Sequence, residues 1–197
     1  MYKIRNSILE NIKKEERANR RFLAFTALFV VLLSFIFFLF TEVYFNVIVE
    51  GDSMKPTLKS GDVLTVNTLK DVERGDIIIV DNHGKLIIKR VIALPYDRIK
   101  IKDGFVFVNG KLLEENYILK QGSTDSLSWG EDDYILKKGE VFYLGDNRED
   151  SSDSRIYCTC DYEEIKGVVE DWSLNPNALG RLFGKILTFS STITNNL

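Results

Sequence analysis

Phe22–Thr41 reads FLAFTALFVVLLSFIFFLFT, and no other segment constrains this chain as strongly. It contains no charge, Gly or Pro, and Thr26, Ser34 and Thr41 are its only polar residues. As a helix rising ~1.5 Å per residue it reaches ~30 Å, the thickness of a bilayer's hydrocarbon core. Core helices of soluble domains rarely run this far without a charge. A cleaved signal peptide also fits poorly, because the run exceeds the usual ~7–15 apolar residues and no A-x-A site follows it. The pattern predicts one transmembrane helix over 22–41.

Charge gives that helix a direction. Residues 1–21 carry seven Lys/Arg against Glu10, Glu15 and Glu16, a net +4. The whole chain is -3, so the remainder is -7. The positive-inside rule then predicts a basic cytoplasmic N-terminus over 1–21 and an extracytoplasmic domain over 42–197, in a single-pass protein of the cell membrane. The small net charge implies no large basic face, so no nucleic-acid partner is expected. Two Cys exclude a disulfide scaffold, and a single His excludes a His-rich metal site.

After residue 41 only short apolar runs occur. Val43–Val49, Val63–Val66, Ile77–Val80, Leu86–Leu94, Phe105–Val108 and Val141–Leu144 are rich in Val, Ile, Phe and Tyr and read as strands. Asn109-Gly110 between two of these runs is a type I′ hairpin signal. Gly51-Asp52, Gly61-Asp62, Gly75-Asp76 and Gly145-Asp146 punctuate the rest as turns. Gln121–Asp133 is polar and acidic and reads as a surface loop, and only Asn177–Leu187 suggests a later amphipathic stretch. The expected fold is all-β, with coiled or barrel-like antiparallel sheets.

Three segments carry potential chemistry. Ser53 lies in Glu50-Gly-Asp-Ser-Met-Lys-Pro-Thr-Leu58, between a strand and a Pro-containing turn. A serine at such a bend can expose its hydroxyl and its own backbone N–H together, the attacking atom and one oxyanion donor of an acyl-transfer site. A turn-capping serine is the bland reading. The only histidine, His83, sits in the hairpin-turn sequence Asp81-Asn-His-Gly84 and reads as a solvated loop residue rather than as the serine's base, to return as the candidate if Lys89 fails. Strand alternation in Leu86–Leu94 puts Ile87, Lys89, Val91 and Ala93 on one face and Ile88, Arg90, Ile92 and Leu94 on the other. Arg90 keeps its proton. Lys89, if desolvated, can fall from ~10.4 by as much as ~3–5 pKa units and become a base; the bland reading is a lysine that reaches solvent at the sheet edge. The third segment, Gly145–Arg155, packs Gly, Asn and Ser among alternating charges. It suits a tightly bonded loop or an acidic turn; a Ca²⁺ loop through Asp146, Asp150 and Asp153 is disfavoured by Arg148 and Arg155.

Together these segments resemble the type I signal peptidase family, the bacterial leader peptidases with a Ser/Lys dyad. Ser53-Met-Lys-Pro-Thr-Leu58 is similar to the family's S-M-x-P-T-L box, and Lys89-Arg-Val-Ile-Ala-Leu-Pro-Tyr-Asp97 to K-R-V-I-G-L-P-G-D. Gly145-Asp-Asn-Arg and Ser151-Ser-Asp-Ser-Arg155 are similar to G-D-N-R-x-x-S-x-D-S-R, while Gly61-Asp-Val-Leu and Arg74-Gly-Asp-Ile-Ile resemble the family's strand starts. The order, the spacing and the preceding apolar segment agree, over essentially residues 20–185. The resemblance implies a membrane-bound serine endopeptidase that removes signal peptides from exported preproteins. Ser53 becomes the nucleophile and Lys89 the general base. Ser151 matches a serine that orients the lysine, and Asp153 and Arg155 match a supporting ion pair. Substrate is expected beside Asn46–Gly51, with Val47, Val49 and Gly51 as binding positions. No cofactor or metal is implied; the partners are signal peptides, the bilayer and, by proximity, the secretion machinery.

The chain departs from the family pattern at Ala93 and Tyr96, which stand where the box has glycine. Ala is mild unless φ is positive there; Tyr puts the turn backbone in question. Cys158-Thr-Cys160 lies outside the pattern, and on a strand its Cα atoms would sit ~6.6–6.8 Å apart, at the edge of disulfide geometry, so free thiols are expected. Gly51 occupies the position at which some members carry a serine oxyanion donor. The alternatives are a relative specialised for pilins or other surface proteins, a catalytically silent membrane-anchored homologue, and a self-cleaving repressor with the same dyad. The intact Ser53 and Lys89 argue against the second, and the apolar helix and lack of a DNA-binding domain against the third.

Overall fold

The fold is described from a computed structural model, over residues 2–129 and 133–174. The Asn177–Leu187 stretch lies outside the described residues, as do 130–132 of the 121–133 loop. The chain divides into two compact units, 1–42 and 43–197.

The first unit is one helix, α1 (Tyr2–Val43), which extends the apolar segment well to its N-terminal side. Lys13–Val43 has a mean hydropathy of 2.8 in its most apolar window and is not buried against the protein. Thr26 and Thr41 donate their hydroxyls back to the carbonyls of Phe22 and Phe38, each at 2.8 Å. Both hydroxyl protons are thereby satisfied within the helix, as an apolar surround requires.

The second unit is built of two antiparallel sheets, as the sequence leads one to expect. The larger contains β1 (Tyr44–Ile48), β2 (Val63–Asn67), β3 (Ile77–Asn82), β4 (Lys85–Ala93), β9 (Glu140–Leu144), β10 (Cys160–Asp161) and β11 (Ile165–Val169), in the order β1-β2-β11-β3-β4-β9-β10. The smaller contains β5 (Arg98–Lys102), β6 (Phe105–Val108), β7 (Lys111–Leu112) and β8 (Asp133–Ile135), in the order β7-β6-β5-β8. Two short helices complete it, α2 (Ser154–Tyr157) and α3 (Asp171–Leu174).

The unbroken Ile77–Val80 run has a simple cause: β3 is covered on both faces. Ile77 and Ile79 join Met54, Leu58 and Ile88 in one core cluster, while Ile78 and Val80 join Val91, Tyr143 and Val168 in another. In β5 the alternation Arg-Ile-Lys-Ile-Lys shows as exposed-buried throughout, with Ile99 and Ile101 in a third cluster under the small sheet. Asn109 and Gly110 (φ 53° and 77°) form the tight turn between β6 and β7. Gly167 in β11 has no room for a Cβ, which would lie 2.7 Å from the Asn67 carbonyl oxygen.

Two expectations are corrected, those for β4 and for Cys158. The β4 alternation holds only to Val91, because a register shift between Val91 and Ala93 carries Ala93 into the cluster of Ile92 and Ile99. Gln121–Trp129 is a loop at the surface, as read, and is anchored at three points. Thr124 and Leu127 are buried, and Trp129 donates its indole N–H to the Ser154 carbonyl at 2.6 Å while meeting Tyr134 edge-on. Gly145 follows β9 in a bend where close packing leaves no room for a Cβ. Cys158 ends α2 and lies on no strand, so the two-Cys strand geometry does not arise; both thiols are free, and burial pushes that of Cys160 up to about 12.

Candidate active site

The Ser53 turn is closed at its base and riveted on both sides. Val49 and Asp62 are joined by an N–H to carbonyl bond of 2.9 Å, and Gly61 N–H donates to the Val49 carbonyl at 2.8 Å. Met54 and Leu58, each 2% exposed, anchor the turn in the core. Thr57 donates its hydroxyl to Asp146, and Lys55 pairs with Asp52 at 2.7 Å. Ser53 itself is left at the surface of a cavity of about 440 Å³, with Gly51, Leu86, Lys89, Ser151 and Tyr157 among the residues around it.

Lys89 enters this cavity from β4, beside Ile87 and Val91 and opposite Ile78 of β3. Its Nζ lies 2.8 Å from Ser53 Oγ, and the residue is only 4% exposed. Burial is the largest influence on its ammonium and, with Lys85 and Arg155, opposes the charge; Asp153 and Asp146 favour it. The outcome is a pKa lowered from 10.5 to about 8, so a useful fraction is neutral near physiological pH. Arg90, on the opposite face, is held bidentately by Asp146 (2.8 and 2.6 Å), donates to the Gly75 carbonyl at 2.8 Å and lies 4.1 Å over the Tyr117 ring.

The Gly145–Arg155 segment forms the cavity's third side. Asn147 donates its backbone N–H to the Ser53 carbonyl at 2.9 Å and its side-chain amide to the Asp52 carbonyl at 3.2 Å. Asp153 is fully buried; it accepts two bonds from the Arg155 guanidinium (2.8 and 2.9 Å) and one from Gly145 N–H (3.0 Å), and it caps α2 through Arg155 N–H. Asp146 and Asp153 are thus both engaged by guanidinium groups, which removes the ligands a Ca²⁺ loop would need.

Most of the sequence-derived site residues converge here. Ser53, Lys89, Ser151, Val49 and Gly51 line one cavity, and Asp153 and Arg155 form a buried pair beside it. Ser151 Oγ is buried without a hydrogen-bond partner among the described residues, so it makes no hydrogen bond to the Lys89 amine. Val47 and Val49 are both 3% exposed in the same core cluster, but only Val49 borders the cavity. His83 is exposed in the β3–β4 turn, with φ 54°. Sequence reasoning missed the supports of the nucleophile turn: Thr57, Arg90, Asp146 and Asn147. All four stand inside the recognised boxes, the one signal that marks them. Tyr96 adopts φ +70° and is 69% exposed, so the turn keeps a glycine-like backbone despite the side chain.

The family profile for signal peptidase, peptidase S26, matches residues 21–172. Signal peptidase I of Bacillus caldolyticus is 38% identical over 174 residues, covering 80% of this chain and 92% of that protein. Signal peptidase I V of Bacillus subtilis is 37% identical over 143 residues, 66% of this chain and 85% of the relative. Signal peptidase IB of Staphylococcus aureus is 33% identical over 139 residues, 61% and 73% respectively.

Proposed function

This chain belongs to the signal peptidase family, peptidase S26, and from that premise we propose that it cleaves preproteins with Ser53 as nucleophile and Lys89 as general base. The reaction class is hydrolysis of signal peptides from preproteins. The observation that carries the residue assignment is the 2.8 Å contact between a hydroxyl at the cavity surface and a buried amine whose pKa is about 8.

Neutral Lys89 takes the Ser53 hydroxyl proton as Oγ attacks the scissile carbonyl. The Ser53 backbone N–H, which donates to no group among the described residues, faces the developing oxyanion. The C–N bond breaks as Lys89 passes its proton to the leaving amine. Lys89 next removes a proton from water, whose oxygen attacks the acyl carbon; the Ser53 ester breaks and Oγ recovers the proton.

The substrate lies extended across the cavity, along the Val49–Gly51 backbone. Leu86–Lys89 flanks its other side, for β9 pairs with β4 only from Arg90 onward. By resemblance to the family, small residues such as Ala are expected at positions -1 and -3 before the cut. Helix α1 anchors the protein in the membrane with residues 1–21 in the cytoplasm and the β-rich unit outside, near the secretion machinery that delivers the substrate.

The test is incubation of the purified full chain with a preprotein, mapping the cut by mass spectrometry. Wild type should cut once after the signal peptide. Ser53→Ala and Lys89→Arg should not cut, since one lacks the attacking oxygen and the other cannot yield its proton. Cleavage by either at near wild-type rate overturns the dyad.

A further inference from the structure

A buried ionic chain ties the loop before the second sheet's last strand to the nucleophile turn, and the dyad chemistry does not use it. The side chains of Glu115 and Arg148 are 3% and 0% exposed. Their two-pronged pair uses both carboxylate oxygens: Arg148 Nη2 donates to Oε1, and Nη1 donates to Oε2 at 3.2 Å. Arg148 Nη1 also donates to Thr124 Oγ1 at 2.7 Å, and Nε donates to the Gly145 carbonyl at 2.9 Å. Tyr117 donates its hydroxyl to Glu115 at 3.1 Å while its ring lies beneath the Arg90 guanidinium. Gln121 fixes the Glu115 backbone by donating to its carbonyl at 2.8 Å.

Burying such a pair costs several kcal/mol per ion before pairing, and an apolar pair of similar volume often serves stability as well or better. Stability alone is therefore a poor reason for it. Its geometry supplies another. The Gly145 residue is clamped at both ends by charged groups, its carbonyl by Arg148 and its N–H by Asp153. Its Cα packs so closely that an added Cβ would lie 2.6 Å from the Ser53 carbonyl oxygen. Two residues on, Asn147 N–H bonds that same oxygen. The Asn147 side-chain amide also bonds the Asp52 carbonyl at 3.2 Å, which shares a peptide plane with the Ser53 N–H, so the chain from Glu115 through Arg148 and Gly145 reaches the peptide that carries that N–H.

We propose that Glu115 is a positioning residue: through Arg148 it holds Gly145–Asn147, and so aims the Ser53 N–H at the oxyanion. This rests on Ser53 being the nucleophile. Only interactions stronger in the transition state than in the bound substrate change kcat, so misaiming this donor lowers kcat and leaves KM nearly untouched.

The experiment compares the full chain, in detergent with a preprotein, as wild type, Glu115→Gln, the double variant Glu115→Leu/Arg148→Met, and Ser53→Ala. The double variant removes both charges at similar volume, so its Tm should equal or exceed that of wild type. Its kcat should nevertheless fall about 10- to 100-fold with KM within about twofold. The pH midpoint of kcat should stay where it is, since Lys89 is untouched. Glu115→Gln should show the same split, measured well below its own Tm. A double variant with wild-type Tm and wild-type kcat overturns the proposal, and so does a kcat loss that comes with a displaced pH midpoint. If the double variant does not fold, an unchanged kcat in Glu115→Gln overturns it. Cleavage by Ser53→Ala overturns the dyad instead, which separates the two failures.

Discussion

Lys89 Nζ lies 2.8 Å from Ser53 Oγ, although the two residues are 36 positions apart and come from a strand and a turn. The strand carries the amine into the core face of the sheet, and the turn brings the hydroxyl to meet it. Desolvation, with smaller help from the charges of Lys85 and Arg155, then makes the amine a base near neutral pH.

Cleavage should rise with pH as that amine loses its proton. With the pKa lowered from 10.5 to about 8, kcat/KM should climb through a midpoint near 8 and level off above it. The pH–rate profile of the purified chain checks this. A flat profile between pH 6 and 9, or a midpoint near 10.5, would remove Lys89 from the role of base.

The same burial makes Lys89 costly to the fold. Its folded pKa lies below the unfolded value, so the unfolded chain binds more protons between pH 8 and 10.5. The penalty is full below about pH 8 and fades as pH rises to 10.5. Lys89→Met should be inactive yet more stable at pH 7, by up to about 3 kcal/mol, with the gain shrinking toward alkaline pH. Thermal unfolding at pH 7 and pH 10 measures it; a variant less stable at pH 7 would contradict the desolvation argument.

Gly145→Ala tests the packing beneath the nucleophile. The new Cβ would lie 2.2 Å from Ser151 Oγ and 2.6 Å from the Ser53 carbonyl oxygen. Relief requires the turn to move, so a loss of about 1–3 kcal/mol and at least about tenfold in kcat is expected. Wild-type kcat in this variant would show that the turn tolerates displacement.

Two side chains stand in backbone conformations that suit glycine. Tyr96 has φ +70°, and Cys158 has φ +69° with ψ -168°, a region almost reserved for glycine. Tyr96→Gly and Cys158→Gly should each raise stability by about 1 kcal/mol, a few degrees in Tm, while Tyr96→Ala should not. Tm values unchanged in both glycine variants would show that these turns carry no strain.

Orientation is checked in cells. In a background lacking Cys158 and Cys160, a cysteine at Asp125, whose side chain is 88% exposed, should react with a membrane-impermeant thiol reagent, and one at residue 10 should not. The opposite labelling would reverse the topology read from the N-terminal charges.

Much of this protein is determined locally and was legible in its sequence. The apolar run of 22–41 carries its own hydrophobicity, and the strands announce themselves by β-branched and aromatic composition, because side-chain period and backbone propensity are short-range properties. The alternation of Arg98–Lys102 is equally local. Ser53 and Lys89 stand out as candidates by their bend and strand positions, and the ordered boxes that resemble a family raise them above the bland readings. Tertiary structure decided what depends on distant partners. It set how deeply Lys89 is buried and sent Ala93 to the other core through the β4 register shift. It also placed Val47 inside the core and joined Arg148 to Glu115 across 33 positions. A pKa is a sum over everything that displaces water around a group, and an ion pair needs two segments brought within ångströms. Neither quantity exists until the sheets pack.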